Sequence, residues 1–419
     1  MTVLSRRGAI AVFLAFAFAY FLSALIRAIT ATLSPTLTAE FSLNARGLGL
    51  LAGGYFLGFA ATQLPLGAWL DRYGPKRVIL CFLTVAVLGC IAFSMARGFG
   101  GLLIARIMCG AGVSACLMAP LTGYRRWFDE ATLLRANSWM LMSGSLGMVA
   151  STLPVQWLMP IAGWRPLFVG LAVLLLLASG LIAWQIPTWK PVWKPASKPL
   201  HLADGVPASY AQVWRHPYFR KMAVIGFFVY GGLLAMQTLW VVPWMTRVAG
   251  FTPIEAATAF FWLNVGMLCS FWLWGMANPW LARRGLDAGR LIARGIPLSF
   301  LLMAWLIIGG QDHGAWTGVL LAAYCMSCTF ISLAQPAVGM AFPAALAGRA
   351  LSAYNLVIFA GVFAIQWGIG LMVDAFKALG QPEARAFQSA FAVYLLCSIG
   401  AYLHFLMAKS HNAGSAIHE

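Results

Sequence analysis

The sequence predicts an all-α membrane protein of twelve transmembrane helices, arranged as two six-helix halves. Three observations lead there. The 419-residue chain is 61% hydrophobic and only 9% charged, and its mean hydropathy of +0.82 lies outside the range of soluble domains. Charge-poor stretches recur twelve times, most of them near the roughly 20 apolar residues that a helix needs to cross a bilayer core. None shows the two-residue alternation of an outer-membrane barrel.

The first stretch, 9–38, follows Arg6 and Arg7 and holds Arg27 in its interior. Its basic start and AFA triplet imitate a secretory signal peptide. It is too long for one and leads into eleven further stretches, so it is the first membrane helix. Stretches 47–70 and 78–96 carry no charge and flank a short charged hinge. The fourth, 101–124, contains Arg106; 136–158 and 166–187 complete the first six. Six more follow at 222–246, 256–280, 295–311, 314–340, 350–373 and 386–408.

Between the two sets the chain reads TWKPVWKPASKPLHLADGVPASYAQVWRHPYF. Lys190, Lys194 and Lys198 each precede a proline, which excludes regular helix and favours an extended, polyproline-like linker. SYAQVWRHPYF is compatible with a short amphipathic helix on the membrane surface. The expected division is therefore a first half over 1–187, a linker over 188–219, and a second half with a short tail over 220–419. Such a six-plus-six layout with a basic middle loop is that of transporters built from two repeated halves.

A formal charge of +17 would suit a nucleic-acid binder, but its distribution points elsewhere. Setting aside Arg27, Arg46, Arg97, Arg106, Arg165, Arg247, Lys377 and Arg385 leaves twenty of the 28 basic residues. All twenty fall in the N-terminal tail, the even-numbered loops or the C-terminal tail. This positive-inside bias places both termini in the cytoplasm of a multi-pass protein of the inner (plasma) membrane. The lipid bilayer is the expected partner, nucleic acid is not, and a monomer is expected.

An enzyme working within the membrane would need His, Asp or Glu clusters inside its helices. All eleven acidic residues fall instead in loops or near helix ends. No catalytic residue, metal site or cofactor is expected. Cys325 and Cys328 form a CxxC inside an apolar stretch without His or acidic neighbours, which reads as buried small hydrophobes.

The hinge GAWLDRYGPKR, 67–77, carries the strongest motif. Gly67, Asp71, Arg72, Gly74 and Arg77 match G-x-x-x-D-R-x-G-R-R/K, so the chain resembles the major facilitator superfamily. Pro75 departs from the pattern, and Lys76 supplies the usual basic residue. Arg106, Gly110 and Gly112 in the fourth stretch and GWRPLF at 163–168 extend the resemblance. It implies a conformational latch in which Asp71 meets the positive N-terminal end of helix eleven and holds the cytoplasmic side shut, worth about 0.3–1 kcal/mol. The corresponding loop of the second half keeps Arg283 and Gly285 but has Ala282 in place of the acid, so the latch would be one-sided.

Drug/proton antiporters of that superfamily carry G-x-x-x-G-P-x-x-G-G on helix five. SGSLGMVASTLPVQW has Gly144 and Gly147 without the Gly-Pro and double-glycine elements, and no buried carboxylate for a cationic drug is evident. Both absences weigh against efflux. The glycine-rich motifs of nitrate carriers are not visible, and a sensor would be expected to add a soluble domain.

The intramembrane charges are positive instead. An arginine in a bilayer costs at least about 2.5–3.5 kcal/mol unless it faces a cavity or a partner. Arg27, and less strongly Arg106, are thus the candidate anion-binding groups, flanking one cavity. Gln63, Gln237, Asn264, Gln335, Asn355 and Gln366 add hydrogen-bonding capacity, with Tyr354 beside them and Trp240 and Trp262 as an aromatic wall. The expectation is import of a small organic anion by alternating access. Coupling would come from an ion gradient, H+ being the expected ion, carried on Asp374, Glu255, His404 or the substrate itself.

Overall fold

A computed structural model describes residues 4–187, 209–284 and 287–408. The first half comprises α1 (Arg6–Phe41), α2 (Ala45–Tyr73), α3 (Pro75–Met95), α4 (Phe99–Trp127), α5 (Glu130–Ala150, continued by Leu153–Ala162) and α6 (Trp164–Gln185). A short surface helix, Tyr210–Arg215, precedes α7 (Pro217–Arg247), α8 (Pro253–Arg283), α9 (Ala288–Gly309), α10 (Trp316–Met340), α11 (Ala344–Ala378) and α12 (Glu383–Met407). The Lys-Pro pairs of the linker lie outside the described residues. Among those described there is no strand.

Local signals in the sequence set the helix ends. Ser5, Asn44, Asp129 and Asp287 each accept a hydrogen bond from the backbone N–H three residues on, which satisfies donors that the first helical turn leaves free. Gly74 turns the chain between α2 and α3 with φ of +78°, a conformation that a side chain disfavours, and Pro75 then starts α3. At the surface helix, Gln212 accepts from the Ser209 N–H at 2.9 Å, closing a capping box.

Among the described residues, eleven helices are long and apolar enough to cross a membrane, and α5 is interrupted. Its stretch reads as one span, yet the helix stops at Ala150 and restarts at Leu153. Pro154 explains this, because it lacks an N–H and its ring clashes with the preceding turn. The Ser151 carbonyl at the break accepts from Thr32 of α1 at 2.7 Å. Three other helices are irregular. α4 kinks at Ser114, whose hydroxyl accepts from Thr62 at 2.8 Å, and α10 tightens over Thr329–Leu333. α7 widens into five-residue π turns at Gly226–Tyr230 and Met236–Trp240, a feature frequent at functional sites. Irregular backbone at membrane depth is tolerated where protein or a cavity surrounds it.

Within the first half, α1 packs on α5 and α6, and α4 on α2 and α3; within the second, α7 packs on α11 and α9 on α10 and α12. Ser34 and Thr38 of α1 line the same crevice as Trp240 and Thr246 of α7, so the two helices run parallel and both halves begin at one end. That end, where α1 starts and α12 finishes, is the termini end; the other is the distal end.

The halves meet through α1 with α7, α2 with α11, and α5 with α8. At the distal end α2 and α11 touch backbone to backbone. A Cβ on Gly49 would stand 2.3 Å from the Gln366 carbonyl oxygen, and one on Gly370 2.3 Å from that of Ala45. Small residues permit such approach in membranes, where packing rather than hydrophobic burial drives association. Asp374 of α11 completes the contact by accepting from the Arg46 N–H at 2.8 Å and the Ala45 N–H at 3.2 Å, across the halves. At the termini end of α2, Gly67 faces open space and Asp71 is exposed.

Candidate functional site

Arg27 lies on α1, one residue beyond the Ile26 carbonyl to which Arg106 of α4 donates from Nη1 at 3.0 Å. Arg106 thus reaches the α1 backbone beside Arg27. Tyr55 of α2 neighbours both; its ring centre lies 5.1 Å from the Arg106 guanidinium. Arg27 stands over Phe59, one turn further along α2, at 5.8 Å, with Tyr20 of its own helix, Cys116 of α4 and Tyr230 of α7 around it. None of the ion pairs among the described residues involves Arg27 or Arg106. The Nε of Arg27 is buried without an acceptor.

The two arginines differ in what they offer a ligand. Arg106 is 1% exposed and spends a donor on the backbone of α1, so it ties α4 to α1. Arg27 keeps partial exposure and no carboxylate beside it. Replacing Arg106 by lysine is expected to lower the melting temperature first, because a point charge cannot reproduce the planar fork held between a carbonyl and the Tyr55 ring. Thermal denaturation of the purified variant measures this; an unchanged melting temperature with lost ligand binding would move Arg106 into the ligand site.

The polar residues of the second half pair with one another. Gln237 donates to Asn264 at 2.9 Å, Gln366 to Thr238 at 2.9 Å, and Gln335 to Asn355 at 2.8 Å. Tyr354 and Trp240 are fully buried, and neither the tyrosine hydroxyl nor the indole N–H finds a partner. Gln63 donates to the Phe59 carbonyl within its own helix. Trp262 is 65% exposed, two residues from buried Asn264 and so on the opposite face of α8. It does not join Trp240 in a wall.

These groups do not converge on one point. Tyr354 and Gln366 are twelve residues apart on α11, about 18 Å at 1.5 Å per residue. Between them Phe359 packs tilted against Phe59 and stacks on Phe56, with ring centres 4.3 and 6.2 Å away. Arg27 thus sits at an aromatic tier flanked by two polar tiers. The residue types alone did not mark Tyr20, Tyr55, Phe59 and Tyr230 as neighbours of Arg27. The available signal was spacing: Tyr55 and Phe59 are one turn apart, and Tyr20 is two turns before Arg27.

The hinge residues occupy the termini end. Among the described residues Asp71 has no hydrogen-bond or ion-pair partner, Arg72 lies over the Tyr73 ring at 5.2 Å, and Lys76 donates to the Ile186 carbonyl at 2.9 Å. At the distal end, Glu40 accepts from Trp164 and Arg165, both at 2.6 Å, which gives GWRPLF a structural role fastening α6 to α1. Glu255 accepts from the Thr252 N–H at the start of α8. Cys325 and Cys328 are free and buried in α10.

The fold agrees with comparison to known proteins. A hexuronate transporter of Escherichia coli (strain K12) is 26% identical over 145 residues, 35% of this chain and 34% of that one. A probable sulfoacetate transporter of Cupriavidus necator is 24% identical over 243 residues, 55% and 56% of the two chains. This chain therefore spans about a third to a half of these relatives. The crystal structure of a bacterial homolog to the human lysosomal transporter Spinster superposes with a TM-score of 0.77 at 17% identity, covering 97% of this chain and 98% of that one. The family model of the Major Facilitator Superfamily matches residues 16–365, and with twelve helices in this arrangement the chain belongs to that superfamily of transporters.

Proposed function

We propose that this transporter imports a small organic anion across the inner (plasma) membrane by alternating access, coupled to an ion gradient, with H+ as the ion. The observation that carries this reading is Arg27, a cation at membrane depth with no carboxylate partner and with an unsatisfied Nε. A second guanidinium, Arg106 beside the same Tyr55, raises the local potential, so an anion entering between the halves relieves repulsion and gains charge-assisted, bidentate hydrogen bonds. The aromatic tier offers flat apolar walls to the rest of the solute. Hexuronates and sulfoacetate, the solutes in the relatives' names, are anions at neutral pH, which supports the same class.

Asp71, Gly67, Arg72, Gly74 and Arg77 supply the latch of the alternate state. Asp374 makes the distal contact, and Asp71 is exposed at the termini end. Asp71→Asn should insert and fold normally yet slow uptake several-fold, because only the state in which Asp71 meets the positive start of α11 is weakened. Crosslinking across the termini end during turnover tests this; wild-type uptake with an unchanged crosslinking pattern would remove the latch.

The substrate class is tested by the melting temperature of purified protein with D-glucuronate, sulfoacetate, nitrate and a cationic dye. A ligand at 100 times its Kd stabilises by about 2.7 kcal/mol. Stabilisation by the carboxylates, followed by their uptake into proteoliposomes under an inward proton gradient, is the expected result. Stabilisation by the dye alone would sink the anion reading.

A further inference from the structure

We infer a second, outer anion-binding site in the crevice of about 250 Å3 at the distal end, where α1 and α2 face α7, α11 and α12. It deepens the organic-anion reading, since it places a waiting position for the same class of solute ahead of Arg27. Two cations line it, Arg247 at the end of α7 and Lys377 at the end of α11. Both turn to a single carboxylate, Glu383 at the start of α12, at 3.9 and 3.8 Å. These distances are ion-pair distances without hydrogen-bond contact, and the side chains are 41–45% exposed, so the pairs are weak and exchange readily.

The crevice therefore holds one positive charge in excess, and Glu383 stands where a solute carboxylate would bind. Thr38 and Thr246 add hydroxyls from the two facing halves. At its inner side lies Trp240, fully buried, whose indole N–H has no acceptor in the protein. Along α7, Trp240 is ten residues from Tyr230, the neighbour of Arg27, which is about 15 Å at helical rise. A carboxylate held by Arg247 and Lys377 is thus separated from the central arginine by the Trp240 ring and the Thr238–Gln366 bond. Both give way when the distal contact of Gly49, Gln366 and Asp374 parts.

The site is tested without any transport assay. Thr246→Cys places a thiol in the crevice, and its modification by the anionic sulfonatoethyl and cationic trimethylammonioethyl methanethiosulfonates is followed by intact mass in purified protein, above the parent's background. The anionic reagent is expected to react faster. Arg247→Gln and Lys377→Gln should each slow the anionic reagent and speed the cationic one, each rate by up to about fivefold, the Coulomb weight of one charge at 4 Å in water, and so lower the anion-to-cation ratio. Glu383→Gln should raise the ratio, which guards against a loss caused by misfolding. Millimolar D-glucuronate should slow the anionic reagent only while both cations are present. A ratio near that of a free thiol, or one insensitive to all three substitutions, overturns the outer site. That outcome leaves the affinity contributed by Arg27 untouched, so failure here and failure of the central reading are told apart.

Discussion

Arg27→Ala is expected to abolish binding of the organic anion while the protein stays inserted and folded. The guanidinium is the cation that Arg106 cannot replace, because Arg106 is buried against the α1 backbone and Arg27 alone keeps partial exposure. Losing a hydrogen-bonded charge partner at a desolvated site costs about 2–5 kcal/mol, at least roughly thirtyfold in Kd. Arg27→Lys keeps the charge and loses the planar fork, and about tenfold weaker binding is expected. Calorimetry in nanodiscs, with whichever carboxylate stabilises the wild type, measures both. The melting temperature of the unliganded Arg27→Ala protein should hold or rise, since an unpaired charge leaves the membrane interior. Binding within about twofold of wild type would make Arg27 structural and remove the main support for an anionic solute.

The second large effect is expected at the distal contact. Asp374→Ala removes the acceptor for two backbone N–H groups that begin α2, and these bonds join the two halves. A hydrogen bond to a charged group contributes about 1.5–3 kcal/mol when buried and less when solvated. Allowing for partial exposure, the pair should favour the distal-closed state by about 1–2 kcal/mol, a factor of roughly 5–30 in population. Spin labels at Arg97→Cys and Gln311→Cys, exposed at the distal ends of the two halves, should report a longer distance in a larger fraction of Asp374→Ala molecules. Gly49→Ala should shift the same distribution in the same direction, because its Cβ would stand 2.3 Å from the Gln366 carbonyl oxygen. A distribution unchanged in both variants would mean that the closed state rests on other contacts.

Much of the helical framework was legible because hydropathy and helix chemistry act locally. Asn44 and Asp287 mark helix starts by their side-chain oxygens, Gly74 and Pro75 mark a reversal, and uninterrupted apolar runs of helical length leave a bilayer no other use for them. The fifth stretch shows the limit. Pro154 stands in plain view, yet whether a proline kinks or breaks a membrane helix depends on what satisfies the freed carbonyl. Here that partner is Thr32, more than a hundred residues away.

The candidate site divided along the same line. The sequence marked both Arg27 and Arg106 as costly intramembrane cations without acidic neighbours. It could not separate their roles, since that depends on which of them reaches the Ile26 carbonyl. Nor could it show that Gln237, Gln335 and Gln366 bond to Asn264, Asn355 and Thr238, or that Trp262 turns outward. Membrane burial and the ends of many of the helices are properties of a residue and its near neighbours, and the sequence by itself determined them. Arg106 bound to the α1 backbone, Asp374 closing the distal end and the aromatic tier around Arg27 were decided only by the tertiary structure, because each depends on how helices from distant parts of the chain rotate and meet, and apolarity, the same on every face of these helices, does not encode that rotation.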